Sequence, residues 1–107
     1  MKKNLIICNS FSINMLNESS EVRFVRTPNE LLANIVGGRE FLSAVDCADI
    51  AELFSKILEV KVPKNRIEIV LSTEDILLVG QITRRLPEGM LELPPGISIN
   101  WWMVELI

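Results

Sequence analysis

The spacing of hydrophobic and polar positions along this chain predicts five strands. The continuous apolar run at residues 5–8 is typical of a strand that is buried on both faces. Residues 21–26, 66–71 and 99–107 alternate between apolar and polar side chains, which indicates half-exposed strands. Residues 76–86 are apolar at first and polar at their end, and we predict that they pair with residues 66–71 in a hairpin.

Two helices are predicted between these strands. Thr27, Pro28 and Glu30 match a helix start in which the threonine caps and the glutamate completes a capping box, and a Gly-Gly pair at 37–38 ends that helix. Residues 41–45 are apolar, and Asp46 then caps a helix of residues 47–58. The apolar stripe of this second helix comprises Ile50, Leu53, Phe54, Ile57 and Leu58.

Strands and helices do not alternate strictly in this prediction. The expected fold class is therefore α/β, with a mixed sheet of about five strands flanked by helices. Because the chain has only 107 residues, we expect residues 1–107 to form a single small domain.

Composition excludes several kinds of chemistry. The chain contains no histidine, which rules out a Ser-His-Asp triad, a Cys-His pair and a zincin motif within it. Cys8 and Cys47 lie far apart and form no metal-binding or disulfide pattern, so we expect reduced thiols, no metal and a cytoplasmic location.

Charge and hydropathy exclude two classes of partner. With 11 basic and 14 acidic residues, the chain lacks the basic excess of a protein that binds long nucleic acids. The first apolar run is too short for a signal peptide, and no stretch is long enough to span a membrane. We therefore expect neither a long nucleic acid nor a membrane as partner.

Basic residues gather at the ends of the predicted hairpin strands. They are Lys61, Lys64, Arg66, Arg84 and Arg85. One interpretation is a site for phosphate or carboxylate groups. The other is a solvated strand edge, where lysine and arginine discourage aggregation between sheets.

Cys47 is expected in the first turn of the second helix, where backbone N–H groups and the helix dipole attract thiolates and anions. The alternative is a small buried hydrophobic residue. Asp46, Asp49 and Glu52 resemble a metal-binding cluster, but carboxylates in a first helical turn are ordinary capping and dipole partners, and we favour that interpretation.

Two adjacent tryptophans mark the last predicted strand. Trp101 and Trp102 must point to opposite faces of the sheet. We expect one of them in the core, which leaves the other to stack on a base or to close a dimer interface.

Three segments together resemble the viral anti-CRISPR ring nucleases: NSFSINML at 9–16, VPKNRIEI at 62–69 and RRLPEG at 84–89. Members of this family occur in archaeal viruses, bacteria and mobile elements. They bind cyclic tetra-adenylate, the second messenger of type III CRISPR defence, and cut it without a metal.

The resemblance also implies the assembly. Family members are homodimers without a cofactor, and the cyclic ligand lies in a pocket across the twofold axis. A C2 dimer uses one patch twice and so matches the symmetry of the ring. Few basic residues per chain are then needed, which reconciles a phosphate-rich ligand with an acidic protein.

The same resemblance assigns the site residues. It implies ligand contacts for Asn9, Ser12, Asn14 and Arg66, and catalytic roles for Arg85 and Glu88. In the family's reaction a ribose 2′-hydroxyl attacks the adjacent phosphate, guanidinium groups stabilise the charged intermediate, and a general acid protonates the departing 5′ oxygen. The linear products carry a 2′,3′-cyclic phosphate.

One family motif is altered in this chain. The pattern Ile-Gly-His-x-x-Thr-Ala appears as VDCADIA at 45–51, so Cys47 replaces the general-acid histidine, and Asp46 is a second candidate acid. Three functions remain open: a ring nuclease of full or reduced activity, a sequestering protein or sensor of cyclic oligoadenylate, and a partner-binding regulator. The regulator would contact its partner through the Arg23-Phe24 edge or a tryptophan.

Overall fold

The computed structural model describes residues 3–17, 20–84, 93 and 95–107, which form five strands and two α-helices. The strands are β1 (Asn4–Cys8), β2 (Val22–Thr27), β3 (Phe41–Ala44), β4 (Asp75–Ile82) and β5 (Ile99–Leu106). The helices are α1 (Leu32–Val36) and α2 (Ala48–Leu58), and 3-10 turns form at Ile13–Met15 and Asn29–Leu31. The predicted α/β class, with a mixed sheet and helices, is confirmed.

The strands form one mixed sheet in the order β2-β5-β4-β1-β3. β1 is parallel to both β3 and β4, whereas β5 is antiparallel to β4 and β2. In this register Cys8 at the end of β1 lies between Ala44 of β3 and Val79 of β4. Because β1 and β3 are parallel and end side by side, the segments that follow them both leave the sheet at the carboxyl ends of these strands.

One face of the sheet packs against the helices. Trp101 of β5 and Phe54 of α2 are fully buried there, with ring centroids 4.8 Å apart. Burying a large apolar side chain contributes about 1.5–3 kcal/mol, and an aromatic pair adds roughly 0.5–1.5 kcal/mol. Leu53 and Leu58 are buried with Phe54, which confirms these three positions of the predicted apolar stripe.

The opposite face is covered by loops. Ile6 and Val79 belong to its buried cluster, against which Phe11, Met15 and Ile69 pack. The loop after β1 and residues 66–71 provide this cover. A backbone hydrogen bond of 2.8 Å from the Leu71 N–H to the Met15 carbonyl oxygen joins the two covering segments.

The predicted hairpin of residues 66–71 and 76–86 is wrong. β4 pairs with β1 and β5, and residues 66–71 join no strand of the described sheet. Burial accounts for part of their alternation, because Ile69 and Leu71 contribute to the loop-covered core while Glu68 and Val70 are exposed, but Ile67 is exposed as well. The short apolar segment 41–45 supplies the remaining strand, β3, at the sheet edge.

Both predicted helix caps are also wrong. The Thr27 hydroxyl donates a hydrogen bond to the Val25 carbonyl oxygen at 3.2 Å and caps no helix. Cys47, not Asp46, occupies the N-cap position of α2. Competing hydrogen bonds explain both differences, because Thr27 bonds to the backbone of its own strand and the Asp46 carboxylate accepts a hydrogen bond from the Asn9 side chain.

The two tryptophans lie as predicted on opposite faces. Trp101 is 1% exposed, whereas Trp102 is half-buried on the loop-covered face. None of the helices in the described ranges combines the length and the hydrophobicity needed to cross a membrane.

Gly80 provides a test of the helix-side core. A Cβ atom at this position would lie 2.6 Å from Phe54 Cζ and 2.7 Å from Trp101 Cζ3, and both rings are buried. We predict that Gly80→Ala lowers the free energy of unfolding by about 1–3 kcal/mol, because the packed rings must move. Urea unfolding measures this change, with Thr73→Ala in an exposed turn as the control. Equal stability of the two variants would contradict the packing described here.

Candidate functional site

Two adjoining depressions lie where β1 and β3 end. The first, of about 430 Å³, is lined in part by Asn9, Asp46 and Arg66. The second, of about 440 Å³, is lined in part by Ser12 and Asn14. They share walls formed by Met15, Ile67, Glu68 and Ile69, and we call them together the polar groove. The four predicted ligand-binding residues are thus brought together at one end of the sheet.

The position of Arg66 is set by a turn bound to β3. The Asn65 N–H donates to the Val45 carbonyl oxygen at 2.8 Å, and the Asn65 side-chain amide donates to the Ser43 carbonyl oxygen at 2.7 Å. The buried Ser43 hydroxyl donates to the Pro63 carbonyl oxygen at 2.6 Å. Arg66 therefore follows an anchored turn, while its own side chain is exposed.

Ser12 and Asn14 belong to the 3-10 turn that follows β1. The Ser12 hydroxyl oxygen accepts the Asn14 N–H at 3.2 Å and so caps the turn. Both residues are exposed. Because both residues are exposed and line the groove, their hydroxyl and amide groups can bind a ligand there.

Asn9 is held by Asp46. Its amide donates to Asp46 Oδ1 at 2.9 Å, and its side-chain oxygen accepts the Asp46 N–H at 3.4 Å. These paired bonds connect the end of β1 to the end of β3. The sequence suggested a helix-capping role for Asp46, and no motif in the chain indicated this contact.

Cys47 follows Asp46 at the N-cap of α2. Its carbonyl oxygen accepts the Ala51 N–H at 2.9 Å, and its side chain is half-buried. Cys47 is not among the described residues that line the groove. Arg85 and Glu88, the other predicted catalytic residues, lie outside the described residues.

The charges of the groove are mixed. Its described lining contains the cation Arg66 and the carboxylates Asp46 and Glu68. Coulombic attraction of an anion to one such groove is therefore partly cancelled. Over the described ranges, no three His, Cys, Asp or Glu side chains are placed to hold a metal ion together.

The two thiols differ in their surroundings. Cys8 is buried under the loop after β1, and its Sγ donates to the Ser10 carbonyl oxygen at 3.1 Å. Burial raises the pKa of the Cys8 thiol to about 12, because a thiolate there would be poorly solvated. Cys8 is therefore a core residue.

An aromatic pocket of about 400 Å³ lies beside the polar groove. Phe11, Phe24 and Trp102 form its aromatic walls, and Ser10 lines both this pocket and the groove. The sequence marked the outward-facing tryptophan and the Arg23-Phe24 edge as alternative partner contacts, but it did not bring Phe11, Phe24 and Trp102 together. The two phenylalanines meet the tryptophan only through the pairing of β2 with β5 and the path of the loop after β1.

Comparisons with known proteins find similarity to proteins of Sulfolobus viruses. The sequence model described as STIV B116-like matches residues 5–95. Uncharacterized protein 26 of Sulfolobus islandicus filamentous virus (isolate Iceland/Hveragerdi) is 33% identical, over 78% of this chain and 70% of that protein. The structure of B116 from Sulfolobus turreted icosahedral virus superposes with a TM-score of 0.82 at 22% identity, covering 95% of this chain and 98% of that one.

Thiol labelling tests the placement of the two cysteines. We predict that at pH 8 only Cys47 reacts quickly in the folded protein, because a pKa of about 12 leaves roughly 10⁻⁴ of Cys8 as thiolate. Timed alkylation followed by mass spectrometry should find one rapid modification, which Cys47→Ser removes. Urea should expose the second thiol. Rapid native labelling of Cys8 would contradict its burial.

Proposed function

The chain belongs to the STIV B116-like family, and we propose that it binds cyclic tetra-adenylate in the polar groove and opens the ring without a metal. The main support for this proposal is that four residues line the same groove: Asn9, Ser12, Asn14 and Arg66. The resemblance to anti-CRISPR ring nucleases selects these four residues from separate parts of the chain. Their common location at the groove supports the ligand-contacting role that the resemblance implies.

The groove offers the donors that a cyclic oligonucleotide needs. The Arg66 guanidinium binds a phosphate with up to two parallel hydrogen bonds, while the Ser12 hydroxyl and the Asn14 amide bind phosphate or ribose oxygens. The proposed assembly is a homodimer in which two copies of the groove face one ring. Because Asp46 and Glu68 offset the charge of Arg66, groups other than phosphate must supply a substantial part of the affinity.

The proposed reaction is an internal transfer at phosphorus. A ribose 2′-oxygen attacks the adjacent phosphorus and gives its proton to solvent water, while the bond from phosphorus to the 5′ oxygen breaks. The departing oxygen gains a proton, which leaves a 2′,3′-cyclic phosphate and a 5′-hydroxyl. Holding the 2′-oxygen in line with the leaving oxygen is the main task of the groove.

The expected rate of ring opening depends on Cys47. In the resemblance it takes the position of the family's general-acid histidine. Cys47 lies at the N-cap of α2, directly after the groove-lining Asp46, and we propose that its thiol transfers the proton to the 5′ oxygen. A cysteine side chain is shorter than an imidazole, so we expect it to supply only part of the about 10²–10⁴-fold in rate that general acid catalysis typically contributes. Slow opening combined with firm binding would make sequestration of the messenger the second function of this protein.

Substitution of Arg66 tests the binding site. We predict that Arg66→Ala weakens the binding of cyclic tetra-adenylate by about 10- to 100-fold, the usual effect of losing a hydrogen bond to a charged group. Isothermal titration calorimetry measures this change. Lys56→Ala is the control, because Lys56 is an exposed cation in the last turn of α2 and lines neither depression of the groove. Equal losses in the two variants, or no binding by the wild type at micromolar concentrations, would exclude the groove as the site.

Restoring an imidazole tests the role of position 47. We predict that Cys47→His opens the ring about 10²–10⁴-fold faster than Cys47→Ala, and that the rate of the wild type lies between them. Single-turnover reactions without added metal, with products separated by chromatography, measure the rates. A histidine variant that cleaves no faster than the alanine variant would contradict a general acid at this position.

A further inference from the structure

We propose that the aromatic pocket beside the polar groove binds an adenine base of the ligand, with Trp102 as the stacking surface. This inference rests on the proposed function and extends it from phosphate and ribose contacts to base recognition. Nucleobases stack on aromatic side chains, and such stacking is a major source of affinity for single-stranded nucleic acids.

The walls of the pocket suit a planar heterocycle. Phe11 and Phe24 meet edge to face, with ring centroids 5.3 Å apart and an interplanar angle of 86°. Trp102 lies on the neighbouring strand, and Val79 and Val104 form the apolar floor between them. The cavity of about 400 Å³ falls in the range of about 300–1,000 Å³ that is typical of small-molecule sites.

Polar groups at the margin give the pocket a means of recognising a base. Gln81 and Ser10 line the same cavity, and both are exposed. A glutamine amide has an acceptor and two donors, which can pair with the amino group and a ring nitrogen of adenine. A purely apolar contact surface would not need these groups beside its aromatic walls.

Trp102, the proposed stacking surface, is in contact with an arginine side chain. The Arg26 guanidinium lies over the Trp102 ring, 5.5 Å from its centre, in a cation–π contact, and it donates to Asn100 Oδ1 at 2.7 Å. Strand pairing places Arg26 directly opposite Trp102. Asn100 therefore holds the guanidinium over one side of the Trp102 ring, where its remaining donors can bind the phosphate attached to a base stacked on this tryptophan.

The pocket also adjoins the groove. Ser10 lines both, and the loop that carries Phe11 into the pocket carries Ser12 and Asn14 into the groove. A nucleotide can therefore place its base on Trp102 while its phosphate or ribose contacts the groove. This arrangement supplies the non-phosphate affinity that the mixed charges of the groove require.

Tryptophan fluorescence gives a direct readout. Trp101 is buried, so Trp102 is the tryptophan that a ligand can reach. Excitation at the red edge of indole absorption avoids absorption by adenine. We expect adenosine monophosphate to quench the wild-type emission saturably, ribose 5-phosphate to have no effect, and Trp102→Phe to lose the quenching.

Variants then separate stacking from phosphate binding. Trp102→Leu should weaken the binding of cyclic tetra-adenylate by about 10-fold or more, whereas Trp102→Phe, which keeps an aromatic face, should weaken it by less than about 3-fold. Arg26→Gln should reduce the affinity for adenosine monophosphate to that for adenosine. Gln81→Ala changes an exposed residue and tests the same pocket if Trp102→Leu does not fold.

The outcomes distinguish the two proposals. If cyclic tetra-adenylate binds Trp102→Leu and the wild type equally, the base site is wrong and the proposed function stands. If adenosine monophosphate quenches Trp102 but the cyclic ligand does not bind, the base site stands and the proposed function is wrong. If Trp102→Leu converts a dimer to a monomer in sedimentation velocity and no nucleotide quenches, a second copy of the chain covers the pocket and the base site is overturned.

Discussion

The parallel pairing of β1 with β3 and β4 is the constraint on which the candidate site depends. A strand between two parallel neighbours must be apolar on both faces, and Leu5, Ile6, Ile7 and Cys8 meet this requirement. Because β1 and β3 run in the same direction, the segments that follow them begin next to each other, at the carboxyl ends of the two strands. Asn9 and Asp46, the residues directly after or near those strand ends, therefore lie close enough to exchange two hydrogen bonds.

The local features of the fold could be read from the sequence, but the choice of strand partners could not. The apolar run of β1, the stripe of α2 and the opposite directions of Trp101 and Trp102 follow from side-chain periodicity alone. Residues 66–71 alternate equally well, yet they cover the sheet instead of joining it. Periodicity reports which side chains turn inward, and it contains no information about whether a neighbouring backbone completes a ladder.

The candidate site, like the fold, could be predicted from the sequence only in part. Resemblance selected Asn9, Ser12, Asn14 and Arg66, and the topology brings them to one groove. The contact between Asn9 and Asp46 escaped prediction because aspartate before a helix is a common capping pattern. The aromatic pocket escaped because Phe11, Phe24 and Trp102 come from three segments that only the completed sheet and its covering loop bring together.

The central claim is that a cyclic oligoadenylate occupies the polar groove, and a residue-resolved titration tests it most directly. Backbone amide signals of ¹⁵N-labelled protein would be followed by nuclear magnetic resonance as cyclic tetra-adenylate is added. The account predicts saturable shifts at Asn9, Ser12, Asn14 and Arg66, while Leu42 at the outer edge of β3 stays unchanged. Unchanged spectra at excess ligand, or shifts confined to residues away from the groove, would contradict it.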